Sequence, residues 1–183
     1  MIERQGLLQR HVVLRDGDRV FIRQLMADDV ALYPDFLADV TQDDLRLRFF
    51  ATMREVSPQL IDQLVHYDAD VAMAFIAIEE ATGKMLGVVR LHDDMTGRHG
   101  EFAILLRSHL KGRGLGWLMM QHVIDYARGK GLESVRGQVL AENTTMLQMC
   151  EELGFAVSDD PNERGIKMVD LPLATEPALA PSP

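Results

Sequence analysis

The stretch "HLKGRGLGWLMM", residues 109–120, decides how the rest of the chain is read. Gly112, Gly114 and Gly116 alternate with Lys111, Arg113 and Leu115, directly in front of an apolar run with helical spacing. Residues without a Cβ let backbone N–H groups approach an anion, and a helix N-terminus adds partial positive charge, so such a turn suits a phosphate. The same residues also suit a plain tight turn with solvated cations. A dinucleotide loop asks for the pattern G-x-G-x-x-G, and here the glycines run out at Trp117, Leu118 and Met119.

C-terminal to the turn, Leu118, Met119, Val123, Tyr126 and Ala127 recur at intervals of three and four, which predicts a core-facing helix from Leu115 to about Gly129 or Gly131. "SVRGQVL" reads as a strand, "NTTMLQMCEELGF" as a helix capped by Asn143 and stopped by Gly154, and "GIKMVDL" as a closing strand. N-terminal to the turn, "EFAILL" at 101–106 is a strand, preceded by a hairpin of strands 72–79 and 85–92 joined through Gly83. "SPQLIDQLVHY" is a short helix with Ser57 as cap and Pro58 at the first helical position. "VFIRQL" at 20–25 alternates like a strand, and Asp28 with Asp29 suits a helix start. Antiparallel strands followed by β-loop-α-β-α-β make an α+β, or mixed α/β, domain: a central, mostly antiparallel twisted sheet flanked by helices. Residues 18–173 form that domain, 1–17 read as an N-terminal arm, and the Pro- and Ala-rich 174–183 as a disordered C-terminal tail.

The 183 residues, 47% apolar and 26% charged, have the size and composition of one globular domain. No uncharged apolar run reaches the roughly 18 residues that span a bilayer, and the first residues lack the apolar centre of a signal peptide, so the expectation is a soluble, cytoplasmic protein with no membrane partner. The single cysteine, Cys150, and the lack of CxxC or HExxH spacing speak against a metal. A net charge of −9 disfavours nucleic acid and favours cationic partners such as lysine or other amines.

The joint order of meander, glycine loop, helix, strand, Asn-capped helix and Gly154-Phe155 resembles the GNAT N-acetyltransferases over about residues 20–171. The family signature Q/R-x-x-G-x-G/A corresponds to residues 111–116, with Lys111 in the first position in place of Gln or Arg. Within the family the resemblance runs to the acetyltransferase domain of Pat-type bacterial protein lysine acetyltransferases. It is carried by "RDGDRVFIRQL", "RLRFF", "HYDADVAMAFIAI", "LGVVRL", "GEFAILLRSHLKGRGLG" and "VLAENTTMLQMCEELGF".

The resemblance implies the GNAT acyl-CoA N-acyltransferase fold and acetyl-CoA as acyl donor. It implies that the pyrophosphate lies against Lys111, Gly112, Arg113, Gly114, Leu115, Gly116 and Trp117, and that pantetheine pairs with the backbone of Ile104, Leu105 and Leu106 as an added strand would. A backbone N–H of that strand polarises the acetyl carbonyl. Asn143 contacts the cofactor, caps its helix, or does both. An acceptor lysine, with an ordinary pKa of about 10.4, needs a base before it can attack, and Glu101 stands where family members carry a catalytic glutamate. Many members place a tyrosine acid seven residues after the capping Asn. Here that position is Cys150, read as a small core residue. Asp68, His92, Asp93 and Asp94 are acceptor-side candidates of low weight, and Arg48 with Phe49 and Phe50 packs the acceptor-side wall.

The implied activity is direct transfer to a protein lysine in a ternary complex. A small amine on the same fold, or a non-catalytic acyl-CoA sensor, remains as an alternative. A homodimer is left open.

Overall fold

The computed structural model describes residues 6–173. Val20 and Ile22 are buried on one side of strand β2 (Arg19–Gln24), while Phe21 and Arg23 turn to the other. This period-two pattern starts an eight-stranded sheet in the order β1-β2-β3-β4-β5-β6-β8-β7. Its members are β1 (Gln9–Val13), β3 (Ala72–Glu79), β4 (Met85–Asp93), β5 (His99–Leu106), β6 (Ser134–Leu140), β7 (Ala156–Asp159) and β8 (Ile166–Pro172). Every pairing is antiparallel except β5 with β6.

Three elements differ from the sequence reading. Residues 9–13, taken as part of a loose arm, form edge strand β1, in register with β2 through Val12 opposite Val20. A helix α2 (Gln42–Phe49) stands where none was read. Its QDDLRLRF sequence buries only Asp44 and Leu45, so its apolar period is weak, and Thr41 starts it by accepting from the Asp44 N–H. Strand β7, only four residues and mostly exposed, exists by pairing with β8. The expected tail at 174–183 lies outside the described residues.

The remaining helices follow their signals. Asp29 opens a 3-10 turn (Ala27–Leu32) by taking both guanidinium nitrogens of Arg23 at 2.8 Å and the Met26 N–H at 2.7 Å. That turn leads into α1 (Tyr33–Ala38). The Ser57 hydroxyl accepts from Leu60 N–H at 3.1 Å and Pro58 opens α3 (Pro58–Val65). Helix α4 (Leu115–Lys130) ends on left-handed Gly131, and α5 (Thr144–Glu152) is capped by Asn143 Oδ1 on Met146 N–H at 3.2 Å.

The sheet is covered on both faces. Phe75 and its neighbours on one side pack under α4 and α5, whereas Ala74 and Ile76 on the other pack under α1, α2 and α3. Arg107, buried at the end of β5, locks the second layer down: it donates to Met85 O at 2.7 Å, to Asp35 Oδ2 and Asp39 Oδ2 at 2.5 Å each, and to Asp35 O at 3.1 Å. Every guanidinium nitrogen of that buried charge is thereby satisfied.

Candidate active site

Strands β5 and β6 pair through His99, Gly100 and Glu101 and then part. Antiparallel β4 holds β5 on its other side: Arg107 N–H donates to Leu86 O, and since inward and outward amides alternate, residues 101, 103 and 105 bond to β4. The amides of Ile104 and Leu106 therefore face the gap. Phe102 keeps the gap open, because its ring sits where Gly137 of β6 lacks a side chain and meets Phe155 edge-on at 5.6 Å. This gives the Gly154-Phe155 signature a physical role at the point of divergence.

The gap widens into a cleft of about 1090 Å³, at the upper end for small-molecule sites. Of the site residues read from the sequence, Glu101, Ile104, Leu105, Leu106, Lys111, Gly112, Arg113, Gly114, Gly116, Trp117 and Asn143 all line it. Leu115 is the exception: its side chain is fully buried beneath α4, and only its backbone faces the turn.

Gly112 and Gly114 have φ of +81° and +89°, a left-handed backbone that side chains resist, and Gly114 is the N-cap of α4. The first N–H drawn into the helix is that of Leu118, bonded to Gly114 O at 3.1 Å. The N–H groups of Leu115, Gly116 and Trp117 precede it, so by helix geometry they remain available to an anion. Gly116 serves closeness: a Cβ there would stand 3.2 Å from the Leu106 side chain.

The two cations of the loop are already engaged, which the sequence did not reveal. Lys111 binds Asp44 of α2, and Arg113 binds Asp16 and Asp18 in the β1–β2 turn, the latter at 2.8 Å. Burial alone would push the Asp44 carboxyl up, but hydrogen bonds from Lys111 and Ser108 hold it below the usual carboxylate range. Beside the turn, Arg15 has no ion pair among the described residues and lines the cleft with its Nε 3.7 Å from where a Cβ of Gly114 would lie. Sequence reasoning missed it as part of the arm, although the turn signal "RDGD" was visible.

Glu101 stands at the closed end of the cleft, and its carboxylate has no hydrogen-bond partner among the described residues. The other acidic candidates are structural. Asp94 accepts from Thr96 Oγ1 at 2.7 Å and from the Thr96 and Arg98 N–H groups, contacts that push its carboxyl down to about 2. Asp93 pairs with Lys130, and Asp68 closes its own turn on Asp70 N–H. His92 is the exposed cross-strand neighbour of Glu101 but does not line the cleft. Cys150 is fully buried in the core, and burial, then Glu151, push its thiol up to about 12.

The acetyltransferase (GNAT) domain family matches residues 19–156. A Pseudomonas aeruginosa acetyltransferase is 31% identical over 152 residues, spanning 82% of each chain. The acetyltransferase Pat of Mycolicibacterium smegmatis is 23% identical over 144 residues, which cover 78% of this chain and 43% of that protein. Among solved structures, the GNAT domain of S. lividans PAT superposes with a TM-score of 0.83 at 24% identity, over 90% of this chain and 97% of that one. The spermidine N-acetyltransferase of Vibrio cholerae, in complex with CoA and spermine, superposes at 0.67 with 18% identity, over 84% and 95%.

Proposed function

This chain belongs to the GNAT acetyltransferase family, and from that premise we propose that it passes the acetyl group of acetyl-CoA directly to the side-chain amine of a protein lysine. The observation that carries the reading is the alignment of three features on one strand edge: the glycine turn, the open amides of Ile104 and Leu106, and the unpaired carboxylate of Glu101. The diphosphate rests on the turn amides with Arg15 beside it. Pantetheine extends β5 as an added strand, which aims the thioester toward Glu101.

In the ternary complex Glu101 takes a proton from the lysine ammonium, directly or through one water, and the neutral amine attacks the thioester carbonyl. A backbone N–H on the open edge of β5 stabilises the oxyanion. Collapse breaks the C–S bond and expels the CoA thiolate, which takes up the second proton shed by the attacking nitrogen to leave as the thiol, so no side-chain acid is needed; the buried Cys150 thiol is outside the cleft lining. The net charge of −9, which favours a cationic acceptor, supports an amine-bearing partner, and the cytosol, where acetyl-CoA and thiol cofactors reside, is the proposed place of action.

The test is incubation of the purified protein with acetyl-CoA and a panel of proteins and small amines, with free CoA followed and modified lysines mapped by mass spectrometry. Lysine acetylation on specific proteins is the expected result. CoA release only with small amines would overturn the protein reading, and binding without release would overturn the enzyme.

A further inference from the structure

Two arginines line the same sheet face as Glu101, and among the described residues neither forms an ion pair; the Glu101 carboxylate acts on Arg48 only through its charge, without contact. Arg48 on α2 is half-buried and lines the cleft; among the described residues it makes no hydrogen bond or ion pair, and its guanidinium lies 4.6 Å from the Phe49 ring centroid. Arg90 on β4 donates to the Leu64 carbonyl and stands over the Tyr67 ring at 5.1 Å, again with no carboxylate. Between them Tyr33 brings a buried phenol whose hydroxyl has no partner among the described residues. The three line a small cavity of about 20 Å³ that shares Arg48, Phe49, Ala103 and Leu105 with the main cleft. Such a volume holds one water-sized group, the size of a carboxylate oxygen, with the rest reaching in from the cleft.

Electrostatics make this arrangement costly without an anion. Burial first, then the charge of Arg90, push the Arg48 guanidinium down to about 10 against the smaller opposing pull of Tyr33 and Glu101, while burial pushes the Tyr33 phenol up to about 12 and keeps it a neutral donor. In a chain of net charge −9, two unpaired cations and a phenol O–H converging on one point form a receptor for a carboxylate.

The sheet register says which substrate brings it. Arg90 lies opposite Ala103, two residues along β5 from Glu101 and on the same face, so the receptor is about 7 Å from the base. The donor occupies the strand edge, whereas the acceptor amine must reach Glu101 across this face. We propose that Tyr33, Arg48 and Arg90 receive a carboxylate carried by the acceptor, so that the preferred lysine has an aspartate or glutamate beside it. This rests on the protein-lysine reading above.

The test is steady-state kinetics with acetyl-CoA and lysine peptides that differ only in having Asp, Asn or Arg next to the lysine, on the wild type and on Arg48→Gln. The acidic peptide is expected to have a KM about tenfold below the amide peptide, with kcat unchanged, and Arg48→Gln is expected to erase that difference. Ligand-free Arg48→Gln is expected to melt no lower than the wild type, since an unpaired buried charge adds no stability. Equal KM values for all wild-type peptides, an equal kcat loss for every peptide in Arg48→Gln, or a wild-type preference for succinyl-CoA over acetyl-CoA that Arg48→Gln removes would each overturn the proposal. If no peptide is acetylated, the lysine reading fails by itself. The receptor is then read by calorimetry with glutarate on the CoA-bound protein, where saturable binding lost in Arg48→Gln supports it and no binding overturns it.

Discussion

Phe102 lies against Gly137 so closely that a Cβ on the glycine would stand 2.5 Å from the ring. The two residues sit on β5 and β6 where those strands stop pairing, so the missing side chain lets the ring occupy the fork of the cleft. Gly137→Ala is expected to cost about 1–3 kcal/mol and to raise KM for acetyl-CoA, because the ring must move into the donor channel. Chemical denaturation and kinetics check this, and adding Phe102→Leu should recover part of the loss, as expected for contacting residues.

Among the described residues, Glu101 is the one carboxylate at the closed end of the cleft without a hydrogen-bond or ion-pair partner. Glu101→Gln is expected to lower kcat about 10²- to 10⁴-fold, the range of a lost general base. Calorimetry should find the affinity for CoA nearly unchanged, and an equal loss of affinity would remove the assignment.

The paired state of the loop cations ranks the arginines around the diphosphate. Arg113 already has Asp16 and Asp18, while Arg15 has no acid among the described residues. Arg15→Ala is therefore expected to weaken CoA binding several-fold, and more than Arg113→Ala does. Titration calorimetry of both variants decides, and the opposite ranking would place the phosphates on Arg113.

His122 is fully buried, edge-on to Phe75 at 4.4 Å, with both ring nitrogens unpartnered among the described residues. Burial, then Arg10, push it down to about 4, below the ordinary value of about 6.5 in an unfolded chain. Between those values the unfolded chain binds the proton and the folded one does not, so the stability held above pH 6.5 is lost as pH falls toward 4. His122→Leu is expected to remove about 3 kcal/mol of that acid-side loss. Urea titrations at neutral and acidic pH on both proteins measure it, and identical slopes would show that the ring is protonated in the fold.

Cys150 stands seven residues after the capping Asn143, yet its thiol lies in the core. Cys150→Ala is expected to leave kcat and its pH profile as they are while lowering the melting temperature. A selective fall in kcat would instead give the thiol a catalytic part.

Local pattern alone carried most of the element order. The glycine turn, the helix behind it, Asn143 as cap, the 72–92 hairpin and the Glu101 strand are short-range matters of propensity, capping and alternation, and each stands where its residues ask. Strands β1 and β7 and helix α2 were illegible because their own residues bury little; they exist through register with a neighbour or by docking, which no local window contains. The same holds for the charges. Which cations near the cleft are neutralised and which stay unpaired is set by acids as distant in the chain as Asp16, Asp18 and Asp44, brought close only when the sheet closes its register. The sequence by itself determined most of the sheet-and-helix order and the residue types at the turn. The tertiary structure decided where β5 leaves β6 and which side chains face the opening, since both depend on packing between residues far apart along the chain.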